Sequence, residues 1–147
     1  MALGSAALSV DTYADTVTST MSVSATVGHS CSIDSNPMAF GAYDRVVANA
    51  STALEATATV VSTCTSGAAA LITMNAGASA GSGSADAPVR RMTAGAGEYL
   101  VYQVYSDVAR GTVWGNTAPT GVALTGTGVS QTLTAYGSVP SAQLAAQ

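Results

Sequence analysis

Tyr99-Leu-Val-Tyr-Gln-Val-Tyr-Ser106 is apolar on both faces of an extended chain: Leu100, Tyr102 and Val104 alternate along one face, Tyr99, Val101 and Tyr105 along the other. A strand of that kind is covered on both sides, which predicts a central strand in a two-layer structure. Outward from it, period-two segments recur at Glu55 to Cys64, Ala69 to Asn75, Val122 to Leu124 and Gln131 to Tyr136, rich in Val and Thr. Turn residues separate them: Asn36-Pro37, Ser66-Gly67, Gly95 to Gly97, Gly115-Asn116, Pro119 to Gly121 and Gly126 to Gly128. Helical periodicity is nearly absent. The expectation is an all-β, immunoglobulin-like sandwich. The Ala-, Gly- and Ser-rich stretch from Asn75 to Asp86 reads as a long flexible surface loop.

The longest alternating run lies near the N-terminus. From Tyr13 to Val27 the odd positions are Tyr13, Asp15, Val17, Ser19, Met21, Val23, Ala25 and Val27, and from Thr16 onward the even positions are only Thr and Ser. Fifteen residues at about 3.3 Å each span roughly 50 Å, against the five or six residues of a usual strand. Either the run bends into two strands, or its first half projects from the domain. Residues 1–20 are therefore set apart as an arm and 21–147 as the domain. The first nine residues lack the basic start and full apolar stretch of an intact secretion signal.

The 147 residues are 48% hydrophobic but only 8% charged, with four arginines, no lysine and a net charge of −4. This excludes a disordered charged tail, which needs low hydrophobicity, and makes nucleic acid a poor partner, because phosphate recognition takes clustered Lys and Arg. No apolar run reaches membrane-spanning length. A chain neither charged nor membrane-spanning yet so apolar fits an assembly subunit. The two cysteines, Cys31 and Cys64, stand 33 positions apart, with His29 as the one histidine nearby. A disulfide is the leading reading, with reduced buried thiols and an incomplete metal ligand set as the alternatives. A bridge would place the chain in an oxidising compartment, the periplasm or the cell exterior.

The last third then carries a resemblance. Tyr102-Gln-Val-Tyr-Ser-Asp-Val-Ala-Arg110, followed by Val113-Trp-Gly-Asn116, Gly126-Thr-Gly128, Gln131-Thr-Leu-Thr-Ala-Tyr-Gly137 and Val139-Pro140, resembles the spore coat protein U domain, which is shared by bacterial spore coat proteins and subunits of archaic chaperone-usher pili. The first half matches more loosely, through Val27-Gly-His-Ser-Cys31, Phe40-Gly41 and Cys64. The resemblance implies a Cys31–Cys64 disulfide. The family domain usually ends in a strand of the type Gly-x-Tyr-x-Asp-Thr-Val-Thr-Val-Thr. This sequence stops at Gln147, before that strand, and carries a close copy at Tyr13-Ala-Asp-Thr-Val-Thr-Ser-Thr20. The expectation is an incomplete sandwich completed by donor-strand complementation, the arm supplying Leu8, Val10, Tyr13, Val17 and Met21 to a groove lined by Leu100, Tyr102 and Val104. Two variants compete: the arm folds back within its own chain, or Leu3 to Val10 donates while Tyr13 to Thr20 stays in its own sandwich.

No catalytic constellation emerges. His29 has no Gly-x-Ser-x-Gly elbow to serve, the glycine pairs read as turns, and no cofactor or metal is called for. Asp107 and Arg110 are expected to make a local ion pair or turn contact, and Arg90-Arg91 a solvated hairpin edge. Trp114 reads as a core or rim aromatic, with stacking on a sugar as the ligand-contact alternative. Asn49-Ala-Ser51 fits a glycosylation sequon. The function expected is a structural subunit of a cell-surface filament (a fimbrium) acting in adhesion and biofilm formation, without catalysis. Its partners would be neighbouring copies in a homo-polymer and, through the resemblance, a periplasmic chaperone and an outer-membrane usher. The alternatives are a spore or cell-surface coat protein, or a carbohydrate-binding tip adhesin module.

Overall fold

The structure is a computed structural model and describes residues 18–95 and 97–144. Its strands are β1 (Cys31–Ser35), β2 (Leu54–Cys64), β3 (Ala69–Ile72), β4 (Arg90–Gly95), β5 (Glu98–Tyr105), β6 (Val122–Thr125) and β7 (Ser130–Val139), and no helix occurs among the described residues. The architecture is an all-β sandwich: an antiparallel five-stranded sheet in the order β1-β2-β7-β5-β4 faces a two-stranded antiparallel sheet, β3-β6. The segment that predicts a central strand becomes β5, held between β4 and β7.

Alternation decides which face each strand buries. Val60, Ser62 and Cys64 of β2 are buried, while Val61 and Thr63 between them are half-buried and Glu55 and Thr57, in the same opposite phase, are exposed. The β2–β7 register sets Val60 opposite Leu133, Ala58 opposite Ala135, Ala56 opposite Gly137 and Leu54 opposite Val139, so these pairs share the inner face. Val104 of β5 stands opposite Gly137 and joins them. The core is Val60, Ile72, Val104, Trp114 and Ala135, with Met38, Met74, Tyr102, Val122, Leu124 and Leu133 packed around it.

Trp114 ties the two sheets together. Its backbone N–H donates to Val104 O (2.9 Å) of β5, and its indole Nε1–H donates to Ile72 O (2.8 Å) of β3. The disulfide joins Cys31 to Cys64, residues directly opposite in the β1–β2 ladder. It fastens a strand all of whose residues are exposed. Beyond β7, Tyr43 donates to Pro140 O (2.8 Å), and the Gln143 amide accepts from Val101 N–H (2.8 Å) and donates to Val101 O (2.7 Å) of β5.

Four local expectations need correcting. Residues 18–30 form no strand, although Tyr13 to Val27 alternates throughout, and every one of them is exposed. A strand exists only through a neighbour that takes its backbone hydrogen bonds, and among the described residues this segment finds one only at its end, where Ser30 O accepts from Thr65 N–H (2.9 Å) and Ser30 N–H donates to Thr65 Oγ1 (3.2 Å). The stretch 75–86 is pinned rather than free: Arg90 donates to Asn75 O, Arg91 to Ser79 O and Ala80 O, and Gly81 N–H to Val89 O. Gly83 approaches so closely that an added Cβ would lie 2.5 Å from Val89 N. Arg90 is buried, at 2% exposure, because four protein acceptors replace its water. The expected turn contact between Asp107 and Arg110 forms, Arg110 N–H donating to Asp107 O (3.0 Å), but the expected ion pair does not: the Arg110 guanidinium meets Glu55 (3.0 Å), a largely exposed contact of small energetic weight. The Asp107 carboxylate instead closes the following turn by accepting from Gly111 N–H (3.0 Å) and Thr112 N–H (2.6 Å), which hold its pKa below the ordinary carboxylate value.

Candidate assembly groove

The inner face of the large sheet has small residues where a filled sandwich would carry Val or Leu. Ala58 and Ala135 face each other across the β2–β7 ladder, with Ala56 and Gly137 as the next pair. Gly137 has no room for a side chain: a Cβ there would run into Met38 Sδ and lie 2.7 Å from Phe40 Cζ. Absence of that one methyl group lets Met38 and Phe40 pack close onto the sheet, Phe40 at 5.8 Å from the Tyr102 ring, where aromatic pairs attract.

Between this strap and β3 the space stays open. A cavity of about 190 Å³ has Ala58, Val60, Ala135 and Val104 as its floor and Met38 and Met74 as walls. It shares Met38 and Tyr102 with a cavity of about 170 Å³ under Phe40 and Met92. At its other side it shares Ser35, Met74, Tyr102 and Val104 with a cavity of about 530 Å³ that reaches Thr73, Asn75, Arg90 and Asn116. The three form one groove, apolar at the centre and polar where it meets Arg90. A two-stranded sheet facing a five-stranded one leaves that groove uncovered. An open apolar groove beside free strand edges is a pairing site or an aggregation hazard.

Of the residues expected here, Tyr102 lines all three cavities and Val104 two of them, whereas Leu100 is half-buried opposite Met92 and lines none. Leu8, Val10, Tyr13 and Val17 lie outside the described residues. Met21 is 87% exposed, and Val23 and Val27, in phase with it, are 85% and 91% exposed. Trp114 as a ligand contact is corrected: at 1% exposure, with its indole N–H already donated to Ile72 O, it has no free face for a sugar. Asn49 is 5% exposed and its amide nitrogen donates to Thr52 O, so the sequon is folded into a loop. His29 is exposed beside Thr65 at 3.4 Å, near the disulfide. Among the described residues no three His, Cys, Asp or Glu side chains gather as metal ligands would. Sequence reading missed Met38, Phe40, Met74 and Arg90; the one available signal was the Ala56–Ala58 repeat at positions where an inner face normally carries larger residues.

The fold and its groove define a structural domain with a surface left to be covered. The chain belongs to the Spore Coat Protein U domain family, whose profile matches residues 17–147. It is 38% identical over 138 residues to Protein U of Myxococcus xanthus, covering 88% of this chain and 77% of that protein. Membership makes it a structural protein of the surface-coat or pilus type, one that assembles with other subunits. No helix among the described residues is long and apolar enough to cross a membrane.

Proposed function

We propose that the chain is the repeating subunit of an extracellular filament and polymerises by donor-strand exchange, the N-terminal arm of one copy lying in the groove of the next. The observation that carries this reading is the pairing of two unsatisfied features: a groove floored by Ala58 and Ala135, and the continuation of the arm's alternating run beyond residue 20, with Met21, Val23 and Val27 on one exposed face. Burying such a side chain gives about 1.5 to 3 kcal/mol, while ordering each backbone residue opposes insertion by about 1 to 2 kcal/mol. Three side chains therefore do not suffice to seat a strand. Tyr13 and Val17, on the same alternating face, extend the contact, and main-chain pairing along a strand edge supplies the rest.

A contact between an arm on one copy and a groove on another is heterologous and does not close, so it propagates into a fibre. An outer-membrane usher and a periplasmic chaperone that covers the groove before polymerisation complete the scheme, with adhesion and biofilm formation as the filament's roles. The same contact, repeated in two dimensions, would build a coat, the reading favoured by the family's description.

The test is a chain lacking residues 1–20. It should form no filaments under negative stain, and a peptide of residues 1–20 added in trans should convert it to a complemented monomer with a higher unfolding temperature. Filaments formed by the truncated chain would overturn the proposal.

A further inference from the structure

The groove contains one charge with no counter-charge among the described residues. The Arg90 guanidinium donates from Nε to Asn75 O (2.9 Å), from Nη2 to Met74 O (2.8 Å) and Trp114 O (2.6 Å), and from Nη1 to Gln103 Oε1. All four acceptors are neutral, and no carboxylate of the described residues lies within 4 Å; their one ion pair is Arg110–Glu55. Burial lowers the Arg90 pKa from its usual value, yet a guanidinium stays charged in proteins. A cation taken out of water without an opposite charge is costly, and a buried anion brought to it recovers part of that cost. The neighbouring Arg91 lines none of the three cavities; it donates to Ser79 O and Ala80 O and stacks 4.3 Å over Tyr99.

The arm carries the complementary charge. Asp15 lies on the same alternating positions as Tyr13, Val17 and Met21, between two of the apolar residues that must enter the groove. A strand cannot turn Asp15 toward solvent while keeping Tyr13 and Val17 inside, since a shift of one residue reverses every side chain. Asp11 shares the phase but lies beyond Tyr13, outside the run. Resting on the donor-strand reading above, we propose that Asp15 of one copy pairs with Arg90 of the next, and that this pair fixes the register of the inserted strand. A slip of two residues would set Tyr13 or Val17 against the guanidinium and press the carboxylate on apolar floor, so the in-register insertion is selected by charge as well as by shape.

The full chain tests this with Asp15→Asn, with Glu98→Gln as a control that removes one exposed negative charge elsewhere, and with Arg90→Gln alone and combined with Asp15→Asn. The reading is the rate at which filaments release subunits in warm detergent. Asp15→Asn filaments should release subunits at least about tenfold faster than wild type, because a buried charge loses its partner. Glu98→Gln should match wild type, and Asp15→Asn should add little to Arg90→Gln. Release at the wild-type rate from Asp15→Asn filaments would overturn the pair and leave the donor-strand reading standing; a wild-type chain forming no filaments would overturn both. Should Arg90→Gln fail to fold, the comparison of Asp15→Asn with Glu98→Gln decides alone.

Discussion

Replacing Trp114 by alanine should destabilise the domain by about 3 to 5 kcal/mol, the range for truncating a large buried aromatic. That is a large part of the 5 to 15 kcal/mol that usually separates folded from unfolded chains. Trp114 sits at the top of this range for a structural reason: it is 1% exposed and fastens β3 to β5 through its ring and its two N–H groups. The β3-β6 pair is a two-stranded sheet, which is marginal by itself, so losing its anchor removes a whole layer rather than a single contact. Urea unfolding of the alanine variant checks the magnitude, and Trp114→Phe separates ring from hydrogen bond, with an expected loss of about 1 to 3 kcal/mol for the orphaned Ile72 carbonyl. A loss below about 1 kcal/mol in the alanine variant would mean that the sheets are held together elsewhere.

The second large effect is removal of the disulfide. Cys31 and Cys64 close a loop across 33 positions, and the chain-entropy model assigns such a link about 3 to 4 kcal/mol. Converting both to serine, or reducing the bridge, should lower the urea midpoint accordingly. The damage should concentrate on β1: among the described residues it pairs only with β2, all five of its residues are exposed, and Ser35 at its end borders the groove. Hydrogen exchange should show β1 amides losing protection first while the β2–β7 ladder keeps its own. Equal loss across both would show that the bridge acts on the whole domain and not on the edge strand.

How much of this was legible in the sequence depends on how local the cause is. β5 was readable because Tyr99 to Tyr105 is apolar on both faces, and β2 and β7 because Thr alternates with Val, Ala and Leu within each strand. β4 was not, since Arg-Arg-Met-Thr-Ala-Gly has no alternation, and Arg90 turns inward only because carbonyls from residues 74, 75 and 114 meet it there. The groove is the least local feature of all. Its floor comes from Ala58 and Ala135, its strap from Met38 and Phe40 lying over Gly137, and its charged wall from Arg90. Small residues spread over the chain leave no periodic mark. The arm shows the opposite case: its alternation is plain in the sequence, yet the alternation says only that one face seeks cover, and residues 18–30 find none among the described residues, where every one of them is exposed.

The most direct test is the mobility of the assembled material on a detergent gel without reductant, unheated and after boiling. A strand seated in a groove is held by main-chain pairing and buried side chains, not by covalent bonds between chains. The unheated sample should therefore run as a ladder at multiples of the subunit mass, and the boiled sample should collapse to a single monomer band. A monomer band without heating, or a ladder that survives boiling and disappears only on reduction, would contradict donor-strand assembly.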